Sequence, residues 1–140
     1  FTLSYRVTDA DKDSVDGSLT INVDDDTPTV SANAAVQLDD DALAGGIAGG
    51  TGDDPNAVNV SGTLGHSFGA DGAGSIQWLT SGAPGGYTYE AGSGGSLLVK
   101  QAGVTVLTVT LNSATGAYSV TQNAPIKHAD GNDENNATFT

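Results

Sequence analysis

A period of two constrains this chain more than any other feature. Phe1, Leu3, Tyr5 and Val7 alternate with Thr2, Ser4, Arg6 and Thr8, the pattern of a strand with one apolar face. Leu19, Ile21 and Val23 repeat it. Val58 and Val60, Ile76 and Trp78, Tyr87 and Tyr89, Leu97 and Val99, the run 104–111, and Tyr118 and Val120 follow, with Phe139 near the end. Asp16-Gly17, Gly85-Gly86, Ala102-Gly103, Ala114-Thr115-Gly116 and Asp130-Gly131 read as turns between them. Short alternating strands set off by such turns predict an all-β, antiparallel sandwich or barrel. Two hairpins stand out, one turning at Ala102-Gly103 and the next at 112–116. Residues 34–44 are the nearest approach to a helix, but three adjacent Asp and the Gly-rich segment after them oppose it. The stretch 39–56 reads as a long surface loop.

Charge narrows the function classes. Seventeen acids against four Lys and Arg give a net charge of −13. Phosphate backbones and anionic bilayers would repel such a chain, so neither nucleic acid nor membrane insertion is expected. No apolar run approaches a transmembrane length, and no basic segment leads into an apolar one as in a secretory leader. The absence of cysteine removes disulfides, zinc–thiolate sites and thiol nucleophiles.

The acids are clustered, and fifteen of the seventeen are Asp. Asp9, Asp11, Asp13 and Asp16 form one group; Asp24, Asp25 and Asp26 a second; Asp39, Asp40 and Asp41 a third; Asp130 and Asp133 a fourth, beside His128 and Glu134. Crowded carboxylates repel one another, and a loop can turn that cost into a site for a hard cation. Calcium takes six to eight oxygens at roughly 2.3–2.6 Å, with carboxylates and loop carbonyls as its ligands. Alternate spacing directs Asp9, Asp11 and Asp13 toward one point, as at the start of an EF-hand. However, Ser14 stands where the sharp-turn Gly belongs and no Glu closes the loop, so a β-loop calcium site or a solvated Asp-rich turn are the two readings. The second and fourth groups divide between calcium ligands and charged linker or polar turn. The triplet at 39–41 reads as a solvated turn, and Gly49-Gly50-Thr51-Gly52-Asp53-Asp54, a single partial copy of a calcium nonapeptide, reads as a flexible loop.

Signals for an enzyme are weak. His66 and His128 sit in no metal-ligand spacing, GxSxG is absent, and no pair of acids marks a glycosidase. Trp78 reads as core, while Arg6 and Lys100 read as solvent-facing strand residues.

Several segments in order resemble a known family. They are FTLSYRVTDADKDSVD at 1–16, LTINVDDDTP at 19–28, VSGTLGHSFG at 60–69, LNSATGAYSV at 111–120 and PIKHADG at 125–131. Together these are similar to the tandem repeats of giant type I-secreted, repeats-in-toxin and biofilm-associated adhesins of Gram-negative bacteria. The resemblance implies an immunoglobulin-like β-sandwich repeat, rigidified by calcium, in an extracellular stalk on the bacterial surface. Tyr5, Val7, Asp9, Asp11 and Asp13 match the family's strand–loop motif, with Lys12 in place of its Gly.

On that reading, residues 1–23 are the closing hairpin of one repeat, 24–28 an Asp-rich junction, and 29–140 the main sandwich, or else the whole of 1–140 is one permuted domain. The alternation running from Phe139 into Phe1 is what a tandem array cut within a strand would show. The partners expected are neighbouring repeats, and the fragment itself could associate by strand swapping. The function implied is a non-catalytic calcium-bound extender in cell adhesion and biofilm formation. The alternative is a binding module for a glycan, peptide or surface, using the Gly-rich loop or Trp78.

Overall fold

The computed structural model describes residues 1–46 and 59–128. In chain order, β1 (Thr2–Thr8) and β2 (Ser14–Thr20) form a hairpin. They are followed by β3 (Thr29–Val30), β4 (Asn59–Thr63), β5 (His66–Ser67), β6 (Tyr87–Ala91), β7 (Leu97–Gln101), β8 (Val104–Leu111) and β9 (Ala117–Gln122). Single 3-10 turns lie at Asp40–Ala42 and Ser93–Gly95, and no described helix is long and apolar enough to cross a membrane. The protein is all-β and its sheets are antiparallel: β1-β2, β3-β5, and a five-stranded sheet ordered β4-β9-β8-β7-β6.

The five-stranded sheet shows why alternation works as a signal. Leu97, Val109, Val120 and Val60 pair in one row across four strands, and Tyr89, Val99, Leu107 and Gln122 in the next. Residues opposite one another share a face, so these rows build one apolar surface. The other face carries Thr88, Glu90, Lys100, Thr108, Thr110, Ser119 and Thr121, with Glu90 and Lys100 joined at 2.5 Å and Thr110 and Ser119 sharing a hydroxyl contact at 2.7 Å. Lys100 is half-buried there rather than solvent-facing, because it lies along the sheet to reach Glu90.

One irregularity shapes the core. Val99 faces Leu107, but Lys100 faces Thr105, so Val106 is an extra residue in β8. The bulge explains how two consecutive residues, Val106 and Leu107, are both buried, and the Val106 carbonyl accepts the N–H of Asn123 at 2.7 Å. Leu38, Tyr87, Tyr89, Ala124 and Ile126 pack against Val99, Val106 and Leu107. The segments at 38 and 124–126 thus form a second layer over the apolar face, an arrangement consistent with a β-sandwich.

Both expected hairpins are present. The β7–β8 turn places Ala102 and Gly103 at φ +48° and +81°, the left-handed pair of a type I′ connection. Other expectations need correction. Asp16-Gly17 is not a turn: Gly17 lies within β2 opposite Tyr5, and the reversal falls at 9–13. Ile21 and Val23 lie beyond the end of β2. Ile76 and Trp78 are not in a strand. Ile76 N–H finds only a single loop carbonyl, Ser113 at 2.8 Å, and Trp78 is half-buried rather than core. Within 39–56, a capped 3-10 turn replaces the start of the expected loop, and residues 47–56 lie outside the described residues, as do Val58 and Phe139.

Candidate metal centre

The β1–β2 hairpin carries the acidic cluster at its tip. Asp9 N–H donates to Asp13 O at 3.0 Å, Lys12 N–H to Asp9 O at 3.2 Å, and Asp13 N–H to the Asp9 carboxylate Oδ1 at 2.8 Å. This leaves a three-residue loop, Ala10-Asp11-Lys12, whose last residue has φ +79°. Such loops ordinarily take a left-handed third residue, and glycine is its usual occupant. Lys12 therefore follows a backbone path that glycine would take freely, at a conformational cost.

That path draws Asp9, Asp11 and Asp13 together. One carboxylate oxygen from each lies within 4.8 Å of the other two, and all three residues are exposed. Oxygens bound to one calcium ion at roughly 2.3–2.6 Å can be at most about 5 Å apart, so the three fit a single coordination shell. They supply half of a minimal six-oxygen set. The Asp9 carboxyl is held below the usual carboxylate range, chiefly by its side-chain hydrogen bond with Asp11; partial desolvation opposes this, and backbone N–H groups of Asp13, Lys12 and Asp11 add to it. Asp9 is thus ionised at neutral pH, as a hard-cation ligand must be.

Among the described residues, the other sequence candidates lie elsewhere. Asp16 faces Arg6 across the β1–β2 ladder, and the guanidinium donates to both carboxylate oxygens, Nε to Oδ1 at 2.5 Å and one terminal nitrogen to Oδ2 at 2.7 Å. This pair lowers the Asp16 carboxyl and raises the Arg6 guanidinium, with slight desolvation opposing each. Asp16 is therefore committed to Arg6 and stands apart from the trio. Asp24 and Asp25 are exposed and join no cluster of three acids among the described residues. Asp26 instead accepts the N–H groups of Ala70 (2.8 Å) and Thr27 (2.9 Å), tying the segment before β3 to the loop after β5. Asp130 and Asp133 lie outside the described residues.

The third triplet is where sequence reasoning missed most. Residues 39–41 are half-buried, not solvated. Asp39 caps the 3-10 turn by accepting Asp41 N–H at 2.9 Å. Asp40 accepts the side-chain amide of Gln122 and the N–H of Ile126 (3.1 Å), and lies 3.7 Å from His128. Beside it, Gln101 exchanges hydrogen bonds with Lys127, donating to its carbonyl at 2.8 Å and accepting its N–H at 2.7 Å, and also donates to the Tyr87 hydroxyl at 3.1 Å. Burial, and secondarily the Asp40 charge, push the Tyr87 phenol up. These contacts hold segment 124–128 over the apolar face. The mid-sheet Gln122, polar in an apolar row, was the available signal.

Fold and tip together define an antiparallel all-β module with an acidic hairpin end. The chain belongs to the DUF5801 family, a domain of unknown function, whose model matches residues 20–140. No curated protein and no solved structure matches the chain.

Proposed function

We propose that the chain is a non-catalytic, calcium-rigidified extender repeat of a large bacterial surface adhesin, immunoglobulin-like in architecture and displayed outside the cell. On this reading it is exported by type I secretion, joined end to end with neighbouring repeats, and contributes to adhesion and biofilm formation. Residues 1–23 act as the closing hairpin of one repeat and 24–28 as the junction. The observation that carries the reading is the convergence of Asp9, Asp11 and Asp13 at a hairpin tip. The motif around them and the antiparallel all-β fold support it.

The mechanism is electrostatic. Without a cation the three carboxylates repel and loosen the tip; bound calcium neutralises them and fixes the loop. For an extracellular-type site with Kd of roughly 10⁻⁴–10⁻³ M, millimolar calcium contributes about 0.4–1.4 kcal/mol. Thermal melts in calcium and in EGTA test this. A higher Tm in calcium is expected, and identical melting curves would sink the reading.

A further inference from the structure

Two Asp-Gly pairs lie among the described residues, Asp16-Gly17 and Asp71-Gly72, and the fold treats them in opposite ways. The first is locked. Phe1 and Ile21 exchange both backbone bonds, at 2.8 and 2.7 Å, and an antiparallel ladder repeats that exchange at every second pair. The Gly17 N–H therefore donates to the Tyr5 carbonyl, and the Asp16 carboxylate is held by two guanidinium nitrogens of Arg6.

The second pair is unrestrained. Asp71 and Gly72 are exposed in the loop after β5, where the chain turns at 70–71. The Asp71 carboxylate has no hydrogen-bond or ion-pair partner among the described residues, and the Gly72 N–H makes no well-formed hydrogen bond there. A Cβ built on Gly72, at φ +98°, would meet nothing within 4 Å, so the backbone stands clear of the rest of the protein.

We propose that Asp71-Gly72 is a site of spontaneous backbone isomerisation, with water as the co-reactant and isoaspartate as the product, and that Asp16-Gly17 is protected from it. The Gly72 nitrogen attacks Asp71 Cγ. A new N–Cγ bond replaces a Cγ–O bond, the protons of the nitrogen and the carboxyl leave with that oxygen as water, and a succinimide ring closes. Water then adds to one imide carbonyl and breaks its bond to nitrogen. Breakage on the Cγ side restores aspartate; breakage of the original peptide bond leaves isoaspartate, whose main chain runs through Cγ. Glycine suits the step because no Cβ shields its nitrogen and its backbone reaches the ring geometry freely. Both pairs share that chemistry, so the fold decides between them. At 16–17 closure must break a ladder bond and draw Asp16 off Arg6, and at 71–72 it breaks neither.

The product alters a tie described above. The Ala70 N–H donates to Asp26 at 2.8 Å, and Gly69 at φ +81° leaves room for that carboxylate, which a Cβ would approach to 2.8 Å. Isoaspartate adds one carbon to the main chain immediately after Ala70, so the reaction loosens segment 24–28 from the loop. This inference does not depend on calcium at the hairpin tip.

Ageing the chain in neutral buffer, followed by peptide mapping with isoaspartyl methyltransferase labelling, tests it. Mapping also keeps apart Asp130-Gly131, which lies outside the described residues. Isoaspartate is expected at position 71 at least about tenfold faster than at position 16, with the two rates converging in urea. Asp71→Glu, whose attack would need a larger ring, should abolish the signal at 71. In the aged protein the Ala70 amide should exchange faster while those of β6–β9 are unchanged. Equal rates at 16 and 71 in the folded chain would overturn the proposal. So would a tenfold gap that persists in urea, or an aged protein whose Ala70 amide exchanges as before.

Discussion

Gln122 and Asp40 lie 82 residues apart in sequence, and the side-chain amide of one donates to the carboxylate of the other over the apolar face of the main sheet. Gln122 is only 5 % exposed, so its amide has no water to fall back on. Asp40→Ala should therefore leave the Gln122 amide and the Ile126 N–H without their acceptor, costing about 1–3 kcal/mol per buried group left unsatisfied. Urea unfolding with tryptophan fluorescence checks this. A midpoint equal to wild type would mean that Asp40 does not hold segment 124–128.

Lys12 occupies a left-handed backbone position at φ +79°. Lys12→Gly should relieve roughly 1–2 kcal/mol of backbone strain and give back about 0.5–1 kcal/mol to the freer unfolded chain, for a net gain of up to ~1.5 kcal/mol. It also removes a positive charge from beside three carboxylates, so calcium should bind more tightly. Calorimetric titration reads the second effect apart from the first.

Asp11→Asn should lower calcium affinity, since it removes one of three converging charges, whereas Asp25→Asn should leave it unchanged. Comparable losses in the two variants would place the cation elsewhere.

The β7–β8 turn puts Ala102 at φ +48°, where a Cβ is unfavourable. Ala102→Asn should stabilise the protein by a few tenths to about 1 kcal/mol, because Asn-Gly is the preferred pair for this turn. The check is the denaturation midpoint at constant slope.

Acid should loosen the hairpin before the main sheet. The Arg6 guanidinium lowers the Asp16 carboxyl from the ordinary 3.8, so the contribution of this pair is present above that value and is lost as pH falls through the lower folded-state value. Hairpin amide resonances followed below pH 3.8 report this loss. In Arg6→Ala, Asp16 should titrate closer to its ordinary value, since the guanidinium is the main cause of the lowering.

Strands whose partners lie next to them in sequence were legible. Leu97, Val104 and Tyr118 sit in a meander whose turns are announced by Gly103 and Gly116, so local chemistry and the final ladder agree. Ile76 and Trp78 have the same alternation without a ladder, because pattern states which face is apolar but not whether a neighbouring strand exists. Gly17 misled for the opposite reason: it looks like a turn residue, yet it is where the Tyr5 ring needs room. The trio at the tip followed from spacing within five residues. Asp40 and Asp26 did not, because their partners lie 44 to 86 residues away and an Asp run looks the same in water or against a sheet.

The order β4-β9-β8-β7-β6 also has a consequence in time. Strands β6 to β9 add one after another across short turns, but Val60 of β4 meets Val120 of β9 across sixty residues of chain. Closing that long loop costs entropy before any contact rewards it, so the first strand of the sheet to be synthesised is the last to be seated. Truncating Val109, inside the meander, should slow folding, while truncating Val60 should leave the folding rate nearly unchanged and hasten unfolding. A chevron plot for each variant would separate the two limbs.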